Sequence, residues 1–205
     1  MSAAPAPGGA LMNVGFALLV DQPTHNFMRK LAVELDRAYC IGLHAAQPPA
    51  HVSLKQPFYT TDLQAVEGYF DTFAASIQPF EIAFDTLEVQ PATGPNYDIG
   101  IVWLAAREIP SLRDLHNRLN TELGTRFANS QAEFDGPAFR FHATVAMGGQ
   151  PPDIYQEIAA AYSRHDLGLI CQVTQIMMGV AHENQDPLGR FVSYKILSLG
   201  ATTGK

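Results

Sequence analysis

Two tetrapeptides constrain this chain more than anything else in it: His51-Val52-Ser53-Leu54 and, 91 residues later, His142-Ala143-Thr144-Val145. Each lies in a run that alternates polar and apolar side chains, His51–Phe58 and Phe139–Met147, the pattern of a half-buried strand. Residues i and i+2 of a strand share a face. Histidine and hydroxyl therefore project together, while Val52, Leu54, Ala143 and Val145 turn towards a core. The same alternation puts Lys55 beside His51 and Ser53, and Arg140 beside His142 and Thr144. Any fold for this chain has to present two such faces.

The surrounding pattern repeats in the same order. In the first half, Met12–Val20 predicts a strand, Thr24–Ala38 a helix with apolar residues three and four apart, and Asp62–Ile77 a second helix capped by Asp62. Phe80–Val89 then predicts an alternating strand. In the second half, Asp98–Ala105 predicts a strand, Ser111–Phe127 a helix, Asp153–Ser163 a helix, Leu167–Val180 one long apolar strand and Phe191–Leu199 a last strand. Each half thus runs strand, helix, histidine strand, helix, strand, as an internal duplication would. The expected organisation is a flexible tail over residues 1–11 and one bilobal domain over 12–200, its halves about 12–95 and 96–200.

Hydrophobic residues make up 47% of the 205 and charged residues 16%, enough apolar material for a packed core and too little charge for general disorder. The net charge of −7 excludes a broad basic face for duplex nucleic acid, which needs clustered Lys and Arg. Cys40 and Cys171 stand in apolar stretches outside any metal-type spacing and predict buried, reduced thiols. The first ten residues lack the basic start and apolar run of a signal peptide, and Val14–Val20 is too short to span a membrane. A soluble, cytoplasmic protein is expected.

Two imidazoles on facing strands suit displacement at a phosphodiester. One takes the proton of the attacking oxygen and the other protonates the leaving oxygen on the opposite side of phosphorus, and histidine does both near neutral pH. Ser53 and Thr144 can donate to the non-bridging oxygens, and Lys55 and Arg140 can offset their charge. One H-x-S/T-x match would mean nothing; two, each on a predicted strand in the same context, carry weight. On PAHVSLKQPF and FRFHATVAMG, with weaker support from PFEIAFDTLEV and YKILSLG, the chain resembles the 2H phosphoesterase superfamily, in particular its 2′,5′ RNA ligase-like branch.

That resemblance implies an α+β fold of two pseudo-symmetric lobes, each an antiparallel sheet with helices on its outer face, about a central cleft. It implies hydrolysis of cyclic phosphodiesters without metal or cofactor, with His51 and His142 catalytic and Ser53, Thr144, Lys55 and Arg140 binding substrate. The expected substrate is a small cyclic nucleotide or an RNA 3′ end bearing a 2′,3′-cyclic phosphate. The alternative is a non-catalytic binder of a small phosphorylated or oligonucleotide ligand in the same cleft. The chain departs from the family in having Ala146-Met147 where many relatives carry a basic residue.

Outside these motifs the expected roles are structural. His25 and His116 fall on helices, His44 and His182 in or near loops, and His165 at a helix end. Trp103 lies in an apolar strand as a core residue, Tyr59 and Tyr194 suit rim or core packing, and Met177-Met178 suits packing. No P-loop or G-x-G-x-x-G pattern supports a nucleoside triphosphate site.

Overall fold

A computed structural model of the chain describes residues 11–90, 99–128, 130–132, 134–182 and 191–201. All but Leu11 of the expected tail, and the expected boundary near residue 95, lie outside the described residues. Among the described residues, nine strands form two antiparallel sheets. The first has the order β2 (His51–Ser53), β1 (Met12–Leu19), β8 (Gln175–His182), β9 (Val192–Ser198), with β3 (Phe58–Thr60) also on β1. The second has the order β6 (His142–Gly148), β5 (Gly100–Ala106), β4 (Phe80–Gln90), β7 (Arg164–Val173). The expected α+β architecture of two antiparallel sheets is present.

The sheets are not the two halves of the sequence. Strand β4 comes from the first half and joins the second sheet, while β8 and β9 return to the first. The expected single strand Leu167–Val180 is therefore two strands, broken at Thr174, where the chain leaves one sheet for the other. No Gly or Pro marks the break; only the polar residues Gln172, Thr174 and Gln175 interrupt the apolar run there.

The helices follow the predicted periodicity. Helix α1 (Gln22–Tyr39) starts at Asp21, whose side chain accepts the Thr24 amide, with Pro23 in its first turn. Helix α2 (Leu63–Ala75) starts at Asp62, which accepts the amide of Ala65. The other two are α3 (Pro110–Arg126) and α4 (Pro152–Tyr162). Helix α2 lies against β8 and β9, its Tyr69 stacking on Phe16 of β1 with centroids 6.2 Å apart. Helix α1 instead covers β6 and β7 of the other sheet and meets α4 through Tyr39 and Tyr162. One buried apolar cluster runs from Phe16, Leu18 and Val52 to Leu104, Ala143 and Val145. The sheets are thus held as one body around one core.

Cys171 is buried as expected, accepts the Asp21 amide, and burial pushes its thiol up. Cys40 is exposed instead: it ends α1 in the left-handed conformation (φ 52°), which turns its side chain out of the core. Tyr59 and Tyr194 are exposed, and the Tyr194 hydroxyl donates to Glu67.

His116 of α3 is fully buried and ties loops together: Nδ1 donates to the carbonyl of Leu54 (2.6 Å), and Nε2 accepts the amide of Gly136 (3.2 Å). Only the neutral ring satisfies both bonds, because a proton on Nε2 would face an N–H. Burial foremost holds its pKa below the ordinary 6.5, and Arg113 and Lys55 add to this. With the folded value depressed, its contribution to stability is complete above about pH 6.5 and is lost as pH falls from there through the folded value. Thermal melts should show Tm falling between pH 7 and pH 5. His116→Gln should lower Tm at pH 7 and flatten that fall; an unchanged slope would detach His116 from it.

Candidate active site

Strands β2 and β6 are the edge strands of their sheets and lie side by side where the sheets meet. Ser53 is opposite Ala17, and His51 opposite Leu19, in the β1–β2 register. Ala17, Leu19 and Met177 form a small apolar cluster separate from the main core, on the face that His51 and Ser53 share. Across from it, Thr144 is opposite Trp103 and His142 opposite Ala105. His51, Ser53 and Thr144 line one cleft, along with Ala17, His44, Met147, Met177 and Phe191. His142 is close enough that the charge of His51 bears on it.

The two histidines are held in the same way. His51 Nδ1 lies 2.8 Å from the carbonyl of Pro49, and His142 Nδ1 lies 2.9 Å from the carbonyl of Arg140. A carbonyl can only accept, so Nδ1 carries the proton in each ring and Nε2 of the neutral ring bears the lone pair. In both cases the partner is the residue two before the histidine. The alternation cannot show this match, because it depends on the backbone that leads into each strand.

Burial foremost lowers both pKa values from 6.5. At His51 the nearby Arg29 charge lowers it further, against the Pro49 carbonyl; at His142, Arg140 and His51 lower it, against the Arg140 carbonyl and Glu88. Arg29, on α1, also donates to the carbonyl of Pro48, so one guanidinium holds the loop before His51 and biases that histidine towards its neutral form. The sequence gives no signal for this beyond a basic residue on a helix.

The two cations sit differently from the alternation. The expected strand His51–Phe58 is interrupted after Ser53 by a bend and resumes at Phe58. Pro57 has no amide to donate, and Lys55 turns into the protein. Lys55 still lines one end of the cleft but is 2% exposed, and its ammonium is paired with Asp135. Asp135 also accepts the amides of Gln56 (3.0 Å) and Ala132 (3.1 Å). Arg140 precedes β6 rather than lying in it, and its guanidinium donates to both oxygens of Glu88, at 3.0 and 2.7 Å. Each cation thus has a carboxylate partner that spacing could not reveal, 80 and 52 residues away.

Trp103 is buried, as expected, but lies opposite Thr144 and stands outside the main core cluster. Its indole stacks on the imidazole of His142, centroids 4.5 Å apart and planes 29° from parallel. Among the described residues, no three His, Cys, Asp or Glu side chains group so as to hold a metal ion, and no helix is long and apolar enough to cross a membrane.

The two sheets thus bring matched histidine–hydroxyl strands together at one cleft. A model of the 2′-5′ RNA ligase superfamily matches residues 20–185, and the chain belongs to that superfamily. Its fold is similar to that of E. coli LigT solved with 3′-AMP (17% identity, 92% of this chain and 98% of that one, TM-score 0.58). It is also similar to TT0787 of Thermus thermophilus (15% identity, 92% and 98%, TM-score 0.64) and to Usb1 of Kluyveromyces marxianus (12% identity, 95% and 99%, TM-score 0.52). No curated protein matches it in sequence.

Proposed function

We propose that the protein hydrolyses cyclic phosphodiesters, the 2′,3′-cyclic phosphate of a nucleotide or of an RNA 3′ end, with His51 and His142 as the acid–base pair. The observation that carries this is the matched pair of imidazoles, each with Nδ1 bound to a backbone carbonyl. The imidazole acting as base takes a proton from water as its oxygen attacks phosphorus. The bond from phosphorus to one ribose oxygen breaks, and the other imidazole protonates that oxygen, leaving an acyclic monoester. Ser53 and Thr144 donate hydroxyl hydrogens to the non-bridging oxygens. Lys55 and Arg140 flank them with charge already offset by Asp135 and Glu88, so the hydroxyls and the charged imidazole carry most of the stabilisation.

The solved complexes of E. coli LigT with 3′-AMP and with phosphate support a nucleotide phosphate as the kind of ligand. The test is turnover of 2′,3′-cyclic nucleotides in excess chelator. Undiminished hydrolysis to a monoester is expected. Saturable binding with no turnover over a panel of cyclic phosphates would give the cleft to a non-catalytic binder. Dependence on added divalent metal would remove the paired-histidine mechanism.

A further inference from the structure

We infer that Trp103, anchored by Glu88, is a positioning residue for His142: it fixes the plane of the imidazole so that Nε2 alone faces the reacting phosphate. The inference rests on the phosphodiesterase reading of the cleft and adds to it a residue that touches no substrate.

The geometry is a closed circuit. The indole lies under the imidazole, and its Nε1 donates to Glu88 Oε2 at 3.2 Å. The same carboxylate takes the Arg140 guanidinium, which stands over the Trp103 ring 5.5 Å from its centroid. The carbonyl of Arg140 then accepts from His142 Nδ1. One face of the imidazole is therefore set by the indole, one edge by the backbone, and both supports are tied to Glu88. With 8% exposure and its ring shared between His142 and Arg140, Trp103 is not placed to stack on a substrate base. The described contacts of His51 include no stacked ring; its support comes from the Pro49 carbonyl, next to the loop that Arg29 holds.

A π-face also favours the charged imidazole over the neutral one. The charged and titratable groups bearing on His142 are Arg140 before its own strand, Glu88 on β4 and His51 on β2, while the short helix His44–Ala46 against β6 brings His44 nearby. Removing the indole leaves those groups in place but also relieves burial, which by itself raises the proton affinity of His142; Leu and Phe relieve it alike, so a comparison of the two isolates the π-face.

The test uses Trp103→Leu, Trp103→Phe and Glu88→Gln in the full chain. Trp103→Leu should lower kcat by about 10- to 100-fold, as a misplaced catalytic group does, with KM on a 2′,3′-cyclic nucleotide within about twofold of the parent. Trp103→Phe, which keeps a π-face, should recover most of the loss. Glu88→Gln, which leaves the indole in the fold, should lower kcat less than Trp103→Leu does. NMR titration of the histidine Cε1–H signals, with the His142 signal assigned by its loss in His142→Gln, is read without reference to turnover. The His142 midpoint should lie at lower pH in Trp103→Leu than in Trp103→Phe, with the coupled His51 midpoint differing by less. Unchanged kcat in Trp103→Leu, or a His142 midpoint no lower there than in Trp103→Phe, overturns the inference while the phosphodiesterase reading stands. An inactive parent, by contrast, removes that reading whatever the titration shows.

Discussion

His51→Ala and His142→Ala are each expected to lower kcat on a 2′,3′-cyclic nucleotide by roughly 10²–10⁴, the usual weight of general acid–base catalysis. The double variant should lose little more than the worse single one, because an acid and a base in one concerted displacement act as a unit. KM should change little if Ser53 and Thr144 hold the phosphate. Both rings are only half-buried and stand on edge strands, so neither change should move Tm by more than a few degrees, which keeps loss of fold apart from loss of chemistry. Burial lowers both histidines from 6.5, so the kcat/KM profile, which reports the free enzyme, should be bell-shaped with its midpoint on the acid side of that value. The two limbs belong to the pair, since the charge of His51 bears on His142. Parent-like turnover in both single variants would end the assignment.

The alternation was enough to put His51, Ser53, His142 and Thr144 on strands whose other faces are core, because period two is a local property that burial enforces. It failed where the outcome depends on distant partners. Lys55 obeys the alternation only if the strand continues past Ser53, and a carboxylate 80 residues away with a proline two residues on decides otherwise. The break at Thr174 is similar: β7 and β8 each suit an apolar strand, and only the positions of β4 and β1 decide that they belong to different sheets. Trp103 was hidden for another reason. Its segment is apolar on both sides of the strand, so nothing local tells the core face from the cleft face.

The second large effect is on stability, at Lys55 and Asp135, whose side chains are 1% and 4% exposed. Removing one member of a buried ion pair leaves the other charge without compensation and costs about 3–5 kcal/mol. Asp135→Ala should fall at the upper end, because the amides of Gln56 and Ala132 lose their acceptor with it. For a domain of this size that is a drop in Tm of roughly 10 °C or more. Lys55→Met combined with Asp135→Leu should recover much of the loss, since no charge then stays buried, but not all of it, since the two amides remain unpaired. The pair joins the bend after Ser53 to the segment that also receives His116 through Gly136, so it braces the chain just past β2. This separates two roles for Lys55. If its charge is committed to Asp135, Lys55→Met assayed well below its own Tm keeps a KM close to the parent value while its melt falls. A KM raised about tenfold or more at unchanged Tm would instead return Lys55 to the phosphate, as the alternation first placed it.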